Sequence, residues 1–570
     1  MPRFLLAFLV TASISRGAAI TWWVANPLEK VRPADPAPAS PAKEADIYAA
    51  RNEFEPFQIV LRAQDTIENV DVDCSSLKSA RGDEIGKSNV TIYAEWYVNI
   101  ARPSLAGGEP GEWPDPLIPR IDRYANEKRN AFPFSLNPAR NQPLWIEVFV
   151  PETAPPGEYR GAVNVLRNGT SEFTIPVRLT VWAFTLPSTA TFKTSFGLNG
   201  TTALKQHLGS YTSDDDLYAI TCVYAKAALL HRISIHGGSQ TPPKFQYSGG
   251  QIHVDWARYD AEVGPFLDGT ILPSGPLRGA RATTIDLRTP GAFESPERRS
   301  LYLSAWMKHF QQKGWSDRLF LYLWDEPTLA DFPKVLSLGR GALATDPRIR
   351  DLVTVPYTSK LADVVQIWTP LINCLERKAD GDDFCQVAAT MDDYAREMRG
   401  GKSVWFYQSC ASHGCNVPGG DYFRGWPSYM IDASGPANRV MPWVAWKYGI
   451  QGELYYSMNE AYGHGDAWVN FRLAGGNGDG TLFYPGTPSK IGGHTNIPIE
   501  SIRLKLIREG MEDYEYLALL GNSSKPAASQ FVDRIVAKTY SWESRPEVFL
   551  RVRRELGEAL NRLAESPESK

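Results

Sequence analysis

Arg318-Leu-Phe-Leu-Tyr-Leu-Trp324 runs directly into Asp325-Glu326-Pro327, and that junction decides how the middle of this chain is read. The apolar and aromatic run has the length and composition of a buried β-strand. Carboxylates are costly to bury, so a core strand that stops on two of them in succession needs an outlet to water. The C-terminal mouth of a (β/α)8 barrel is such an outlet, and barrel enzymes keep their catalytic groups there. On the short pattern alone, Asp325 and Glu326 would be solvated acids at a strand-to-loop junction. The surrounding sequence argues for more.

Working outward, short apolar strands alternate with helical segments on both sides of this junction. The strands are expected at Phe192–Leu198, Ile233–His236, Thr283–Leu287, Leu319–Trp324, Leu352–Tyr357, Val364–Trp368, Val404–Gln408 and Glu453–Ser457. One helix is expected to begin on the acids Asp214, Asp215 and Asp216, which suit a helix N-terminus. Another is expected over Pro296 to Lys313. Such alternation predicts a (β/α)8 barrel; an open doubly wound sheet would be the alternative. The Gly-rich phosphate fingerprint of many such sheets is absent, since Gly475-Gly-Asn-Gly478 does not follow a strand.

From about Asp46 to Trp182 the grammar is purely β. Phe57–Arg62, Val90–Tyr97, Leu144–Val150 and Val177–Val181 are branched and aromatic runs punctuated by Pro and Gly, which predicts an antiparallel β-sandwich. The stretch from Pro33 to Ala42 reads as linker. The whole is thus multidomain β plus α/β: an N-terminal leader (residues 1–19), a sandwich (20–186), a barrel (187–522), and a C-terminal helical segment (523–570) packed on the barrel.

The chain's 570 residues are too many for one core. With 64 acidic and 60 basic residues its net charge is −4, and no basic stripe marks a nucleic-acid partner. Arg3, the apolar Phe4 to Val10 and the small residues Ser13, Ser15, Gly17, Ala18 and Ala19 read as a secretory signal. An exported protein without stable membrane insertion is therefore expected, because no apolar stretch is long enough to span a bilayer. In an oxidising compartment Cys374 could bridge Cys385, and Cys410 could bridge Cys415. Cys410-Ala-Ser-His413-Gly-Cys415 matches no standard zinc spacing, so neither metal nor cofactor is expected.

Residues at the ends of the expected strands form the candidate site: His236, Asp325, Glu326, Tyr357, Trp368, Tyr407 and Asn459. The Asp-Glu-Pro sequence resembles the Asn-Glu-Pro of retaining glycosidases, in which that Glu is the acid/base and a second Glu on strand seven is the nucleophile. Strand seven here, Ser403-Val-Trp-Phe-Tyr-Gln-Ser-Cys410, has no carboxylate; Asp421 and Asp432 fall in a long loop, and Glu453 and Glu460 flank strand eight. That gap favours a substrate supplying its own nucleophile, a 2-acetamido oxygen that forms an oxazolinium intermediate. Asp325 would orient the acetamido group and stabilise its developing charge, and Glu326 would serve as general acid and base. Tyr407 would bind the acetamido oxygen and Trp368 would wall the sugar.

Several further segments carry a family resemblance. They are Ala50-Arg-Asn-Glu-Phe-Glu-Pro-Phe-Gln58, Gly452-Glu-Leu-Tyr-Tyr456, Gly478-Asp-Gly-Thr-Leu-Phe-Tyr-Pro-Gly486, and Ser501-Ile-Arg-Leu-Lys-Leu-Ile-Arg-Glu-Gly-Met-Glu-Asp-Tyr-Glu-Tyr-Leu517. Together they resemble glycoside hydrolase family 123. The resemblance implies a sandwich followed by a barrel, a glycan or glycoconjugate substrate, and substrate-assisted β-N-acetylgalactosaminidase activity. It also implies an Asp-Glu catalytic pair at Asp325 and Glu326, and no metal. Tyr456 stands where relatives carry Trp, and Asn459 to Trp468 also departs from the family pattern, so Tyr456 and Trp468 are expected to shape the sugar pocket. Arg503, Arg508, Glu509 and Glu512 lie at helical spacings suited to ion pairs. Two other functions compete: hydrolysis of a plain hexoside with Glu453 or Glu460 as nucleophile, and carbohydrate binding without catalysis.

Overall fold

The computed structural model describes residues 19–565 apart from 105–107, 238–241, 290–292, 379–384, 386–388 and 415–420. The expected leader, but for Ala19, and Cys415 lie outside the described residues.

The N-terminal part forms two β-sheets. One is antiparallel throughout, in the order Ile20–Ala25, Glu53–Ala63, Asn141–Val150, Val90–Ile100, Gly111–Pro119. The other runs Ala45–Arg51, Thr170–Thr185, Gly157–Arg167, Ile67–Cys74, Phe134–Leu136, with two short strands off the main path. Buried residues from both sheets, such as Ile59 and Ile146 from the first and Val72 and Val163 from the second, fall in one apolar cluster. The expectation of wholly antiparallel pairing needs one correction, because Ala45–Arg51 runs parallel to Thr170–Thr185. The chain leaves that strand through Asn52, at φ 61°, and enters the other sheet at Glu53. Asn52 tolerates this left-handed conformation, and its amide donates to Leu186 O and Ser188 Oγ, each at 3.0 Å.

The C-terminal part is an eight-stranded parallel sheet wound into a nearly closed barrel. Its strands are Lys193–Leu198, Ile235–Gly237, Ile285–Asp286, Leu319–Trp324, Asp351–Val353, Ile367–Trp368, Ser403–Tyr407 and Gly452–Tyr455. Each falls at an expected position, and Pro296–Lys313 is helical as expected. The first strand pairs with the eighth, so among the described residues the ring is open between the second and third. Side chains close that seam: Ser234 Oγ and Thr283 Oγ1 lie 2.9 Å apart, and Gly237 N–H donates to Asp286 Oδ1 at 3.3 Å. The antiparallel hairpins Lys244–Ser248/Gln251–Asp255 and Val536–Lys538/Ser541–Trp542 were not anticipated.

Strand alternation fixes which residues face the barrel axis. Phe320, Leu352, Ile367 and Trp405, from four successive strands, meet in one interior cluster. Phe320 and Trp405 touch edge to face, with ring centres 5.7 Å apart.

Helix Ile502–Ser523 joins the two parts and is buried on almost every face. Its charges therefore pair chiefly with other elements instead of along the helix. Arg503 meets Asp115, and Arg508 meets Glu147 at 2.8 Å; the i,i+4 pair Arg508–Glu512 spans 3.9 Å. The last helix, Pro546–Glu565, packs on strand Thr170–Thr185 as well as on helix Ile502–Ser523, so it is shared with the N-terminal sheets and not confined to the barrel. Gly557 makes this possible, because a Cβ there would overlap the Trp182 ring. Cys374 and Cys385 form a disulfide, with Cα atoms 5.6 Å apart.

Candidate active site

At the C-terminal ends of the barrel strands lies a cleft of about 710 Å³. Among the residues lining it are His236, Tyr322, Asp325, Glu326, Thr354, Tyr407, Tyr456 and Asp479.

The fourth strand ends irregularly. Its register against the fifth slips between Tyr322 and Trp324. Tyr322 lines the cleft, whereas Trp324 faces the outer helices with the Lys334 ammonium 5.1 Å from its ring centre. The slip brings Asp325 back to the cleft. Glu326 follows at φ 43°, a left-handed conformation for a residue with a full side chain. A following proline such as Pro327 favours an extended residue before it, but the backbone turns at Glu326 itself, which lets two successive residues serve one cleft. Backbone strain of this kind is characteristic of functional sites.

Both acids are exposed to the cleft and held by hydrogen bonds. Asp325 Oδ1 accepts from the Tyr322 hydroxyl at 2.8 Å and from Thr354 Oγ1 at 2.9 Å. The Glu326 backbone N–H donates to Thr354 Oγ1 at 2.6 Å. The Tyr407 hydroxyl donates to Glu326 Oε1. Burial, reinforced by Glu326, pushes the Tyr407 hydroxyl well above its ordinary range, so it remains a donor at neutral pH. Burial likewise holds the His236 imidazole below its ordinary value, despite Asp286, and its Nδ1 lies 3.1 Å from Ser195 Oγ.

On the opposite side, the Tyr456 hydroxyl lies against the Asp479 carboxylate, and its ring sits over Gly480. Asp479 Oδ2 accepts from Cys410 N–H at 3.0 Å, and burial raises its carboxyl to about 6. Gly480, at φ 63°, has no room for a side chain, because a Cβ would overlap the Tyr456 hydroxyl.

Of the sequence-predicted residues, His236, Asp325, Glu326, Tyr407 and Tyr456 meet in this cleft. The remaining four do not line it. Trp368 follows the inward-facing Ile367 and so points outward; it is fully buried, and its indole N–H donates to Glu397 Oε2 at 3.1 Å on helix Met391–Arg399. Tyr357 packs edge to face on Trp368, with ring centres 5.2 Å apart. Asn459 is consumed in a reciprocal pair with the Asn199 backbone, giving to its O and taking from its N–H at 2.9 Å each. Trp468 lies between Trp96 of the N-terminal sheet and Tyr484, and its N–H donates to Pro485 O.

Sequence reasoning missed Tyr322, Thr354 and Asp479. Tyr322 carried a signal, since it stands two residues after the inward Phe320. Thr354 was hidden because the fifth strand was expected to reach Tyr357 and instead ends at Val353. Neither remote acid of the competing mechanism reaches the cleft. Leu454 and Tyr456 face it, so the intervening phase places Glu453 outward, fully buried beneath the Tyr429 hydroxyl at 2.7 Å. Burial raises Glu453 to about 8, which keeps it neutral at pH 7. Glu460 is partly buried beside His464, 3.7 Å away, and is not among the residues lining the cleft.

A nearly closed barrel with paired carboxylates at its mouth is the layout of a barrel glycosidase. Comparison with known proteins specifies which. Residues 31–167 match the glycoside hydrolase 123 N-terminal domain, and residues 294–520 match the glycoside hydrolase 123 catalytic domain. The chain belongs to glycoside hydrolase family 123. A solved family 123 glycoside hydrolase from Clostridium perfringens shares the fold, with a TM-score of 0.67 at 15% identity over 96% of this chain and 99% of that one. A family 5 xyloglucanase from Bacteroides ovatus aligns over 82% of this chain and 98% of that one, at 10% identity and a TM-score of 0.28, too low to support any inference. No curated protein sequence matches the chain.

Proposed function

We propose that this protein is a retaining hydrolase of β-linked N-acetylgalactosamine or a similar 2-acetamido sugar, working by substrate assistance. The observation that carries this reading is the pairing of adjacent, exposed Asp325 and Glu326 at one cleft, with Glu453 and Glu460 both outside it. Glu326 protonates the glycosidic oxygen as the acetamido oxygen attacks the anomeric carbon, and the aglycone departs. Asp325 accepts a hydrogen bond from the acetamido N–H and stabilises the oxazolinium charge. Glu326 then takes a proton from water, which opens the ring with net retention. In this reading Tyr407 transfers its hydrogen bond from Glu326 to the acetamido oxygen, which its present bond to Glu326 supports.

The solved Clostridium perfringens enzyme is described in terms of glycolipid glycan hydrolysis, so a glycolipid glycan is the first natural substrate to test. The leader-like residues 1–19 and the Cys374–Cys385 disulfide support export to an oxidising compartment. Strand Ile67–Cys74 of one N-terminal sheet packs on Val90–Ile100 of the other, which supports their reading as a sandwich.

The test is an assay with chromogenic β-N-acetylgalactosaminide, β-N-acetylglucosaminide and β-galactoside, using wild type beside Glu326→Gln. Turnover of acetamido sugars alone, lost in the variant, is expected; turnover of the plain galactoside would exclude substrate assistance.

A further inference from the structure

We propose that Thr354 is the positioning residue that holds the two carboxylates in register, with Tyr322 sharing the Asp325 half of that task. The inference rests on the assignment of Asp325 and Glu326 as the reacting pair.

Thr354 comes immediately after the fifth strand and is only 4% exposed. Its own backbone N–H reaches Trp324 O at 3.4 Å, which fastens it to the end of the fourth strand. A hydroxyl has one proton and two lone pairs. A backbone amide can only donate, so the 2.6 Å contact with Glu326 N–H makes Thr354 Oγ1 an acceptor there. Its single proton is therefore free for Asp325 Oδ1 at 2.9 Å. One hydroxyl thus grips the backbone of one acid and the carboxylate of its neighbour.

Two consequences follow from that geometry. At Glu326, the bond helps to hold the sparsely populated φ of 43° that turns this side chain into the cleft. At Asp325, Thr354 and Tyr322 both donate to Oδ1. This fixes the carboxylate plane and leaves Oδ2 for the acetamido N–H. Thr354 touches no reacting atom; it acts through the two residues that do.

The test compares Thr354→Val, nearly isosteric but without the hydroxyl, with Thr354→Ser, which keeps it, and with Tyr322→Phe. Misplacement of catalytic groups by about 1 Å costs on the order of a hundredfold in rate. Thr354→Val is expected to lose about that factor in kcat with KM changed less than about threefold, and Thr354→Ser to recover most of it. Tyr322→Phe should fall between them, since Thr354 still holds Asp325. Wild-type kcat in Thr354→Val, or a Thr354→Ser as slow as the Val variant, would overturn the proposal. The crystal structure of Thr354→Val gives a readout independent of turnover: a rotated Asp325 carboxylate or relaxed Glu326 backbone upholds positioning, and unmoved acids overturn it. Wild type inactive on every acetamido glycoside would contradict the hydrolase reading instead, and the crystal structure would then decide the positioning claim alone.

Discussion

Arg503 and Asp115 face each other across the junction of the two parts, Nε to Oδ1 at 2.9 Å and Nη2 to Oδ2 at 2.8 Å, with both side chains fully buried. The same guanidinium donates from Nη1 to Gly478 O at 2.9 Å. The N-terminal sheet thereby braces the Gly478-Asp479-Gly480 turn that forms one wall of the cleft. Removing one partner of a buried ion pair leaves an uncompensated charge and costs about 3–5 kcal/mol. Asp115→Ala should therefore lower the denaturant midpoint by that equivalent and raise KM by loosening the turn. Unchanged unfolding and kinetics would show that the junction is not coupled to the cleft.

Gly480→Ala tests the same wall locally. The added Cβ meets the Tyr456 hydroxyl, and the φ of 63° disfavours any side chain. Displacing Tyr456 from its seat on Asp479 is expected to raise KM by about tenfold, the equivalent of one lost sugar contact of roughly 1.4 kcal/mol, with kcat less affected. Steady-state kinetics on the best chromogenic substrate read this directly.

Glu453 separates the competing mechanisms and carries a pH signature. Its folded value is raised to about 8 by burial, against an ordinary value near 4.5. Between those values the folded protein holds a proton that the unfolded chain lacks, so this group's contribution to stability falls as pH rises through the window. Gln cannot titrate. Glu453→Gln should match wild type near pH 5, become progressively more stable toward pH 8, and keep full activity. Denaturant midpoints at several pH values check the first claim, and loss of turnover would restore Glu453 as a nucleophile candidate.

Trp368→Ala should behave as a core truncation. Large-to-small changes of this kind cost about 3–5 kcal/mol, so thermal stability should fall sharply. KM measured below the new midpoint should stay at the wild-type value, because the indole faces Glu397 and not the sugar cleft. A raised KM would bring the residue back to the substrate.

The barrel was legible because its strands are short apolar runs at regular intervals, and Asp325-Glu326 stood out because two carboxylates ending a buried strand need an outlet to water. Alternation within a strand was read less well. Trp368 was chosen as a strand-end residue, but the inward phase passes through Ile367, and one residue of phase exchanges sugar wall for helix packing. The slip between Tyr322 and Trp324 was invisible for a related reason: a bulge depends on how two strands meet, which neither strand encodes alone. Thr354 lacked any signal of its own, since its role arises from its contact with Glu326 N–H; Asp479 falls within the run Gly478–Gly486, but its contact with Cys410 N–H, distant in sequence, is not written there. The charges of helix Ile502–Ser523 were recognised as structural, but Arg503 and Arg508 pair with Asp115 and Glu147 of the N-terminal sheet, beyond the reach of helical spacing.

Substrate assistance is the central claim, and progressive fluorination of the substrate acetamido group tests it most directly. Each fluorine weakens the acetamido oxygen as a nucleophile while leaving the aglycone unchanged. Wild type assayed on the acetamido, monofluoro-, difluoro- and trifluoroacetamido glycosides is expected to lose kcat steeply and monotonically along the series. A flat series would contradict the account and require a nucleophile from the protein.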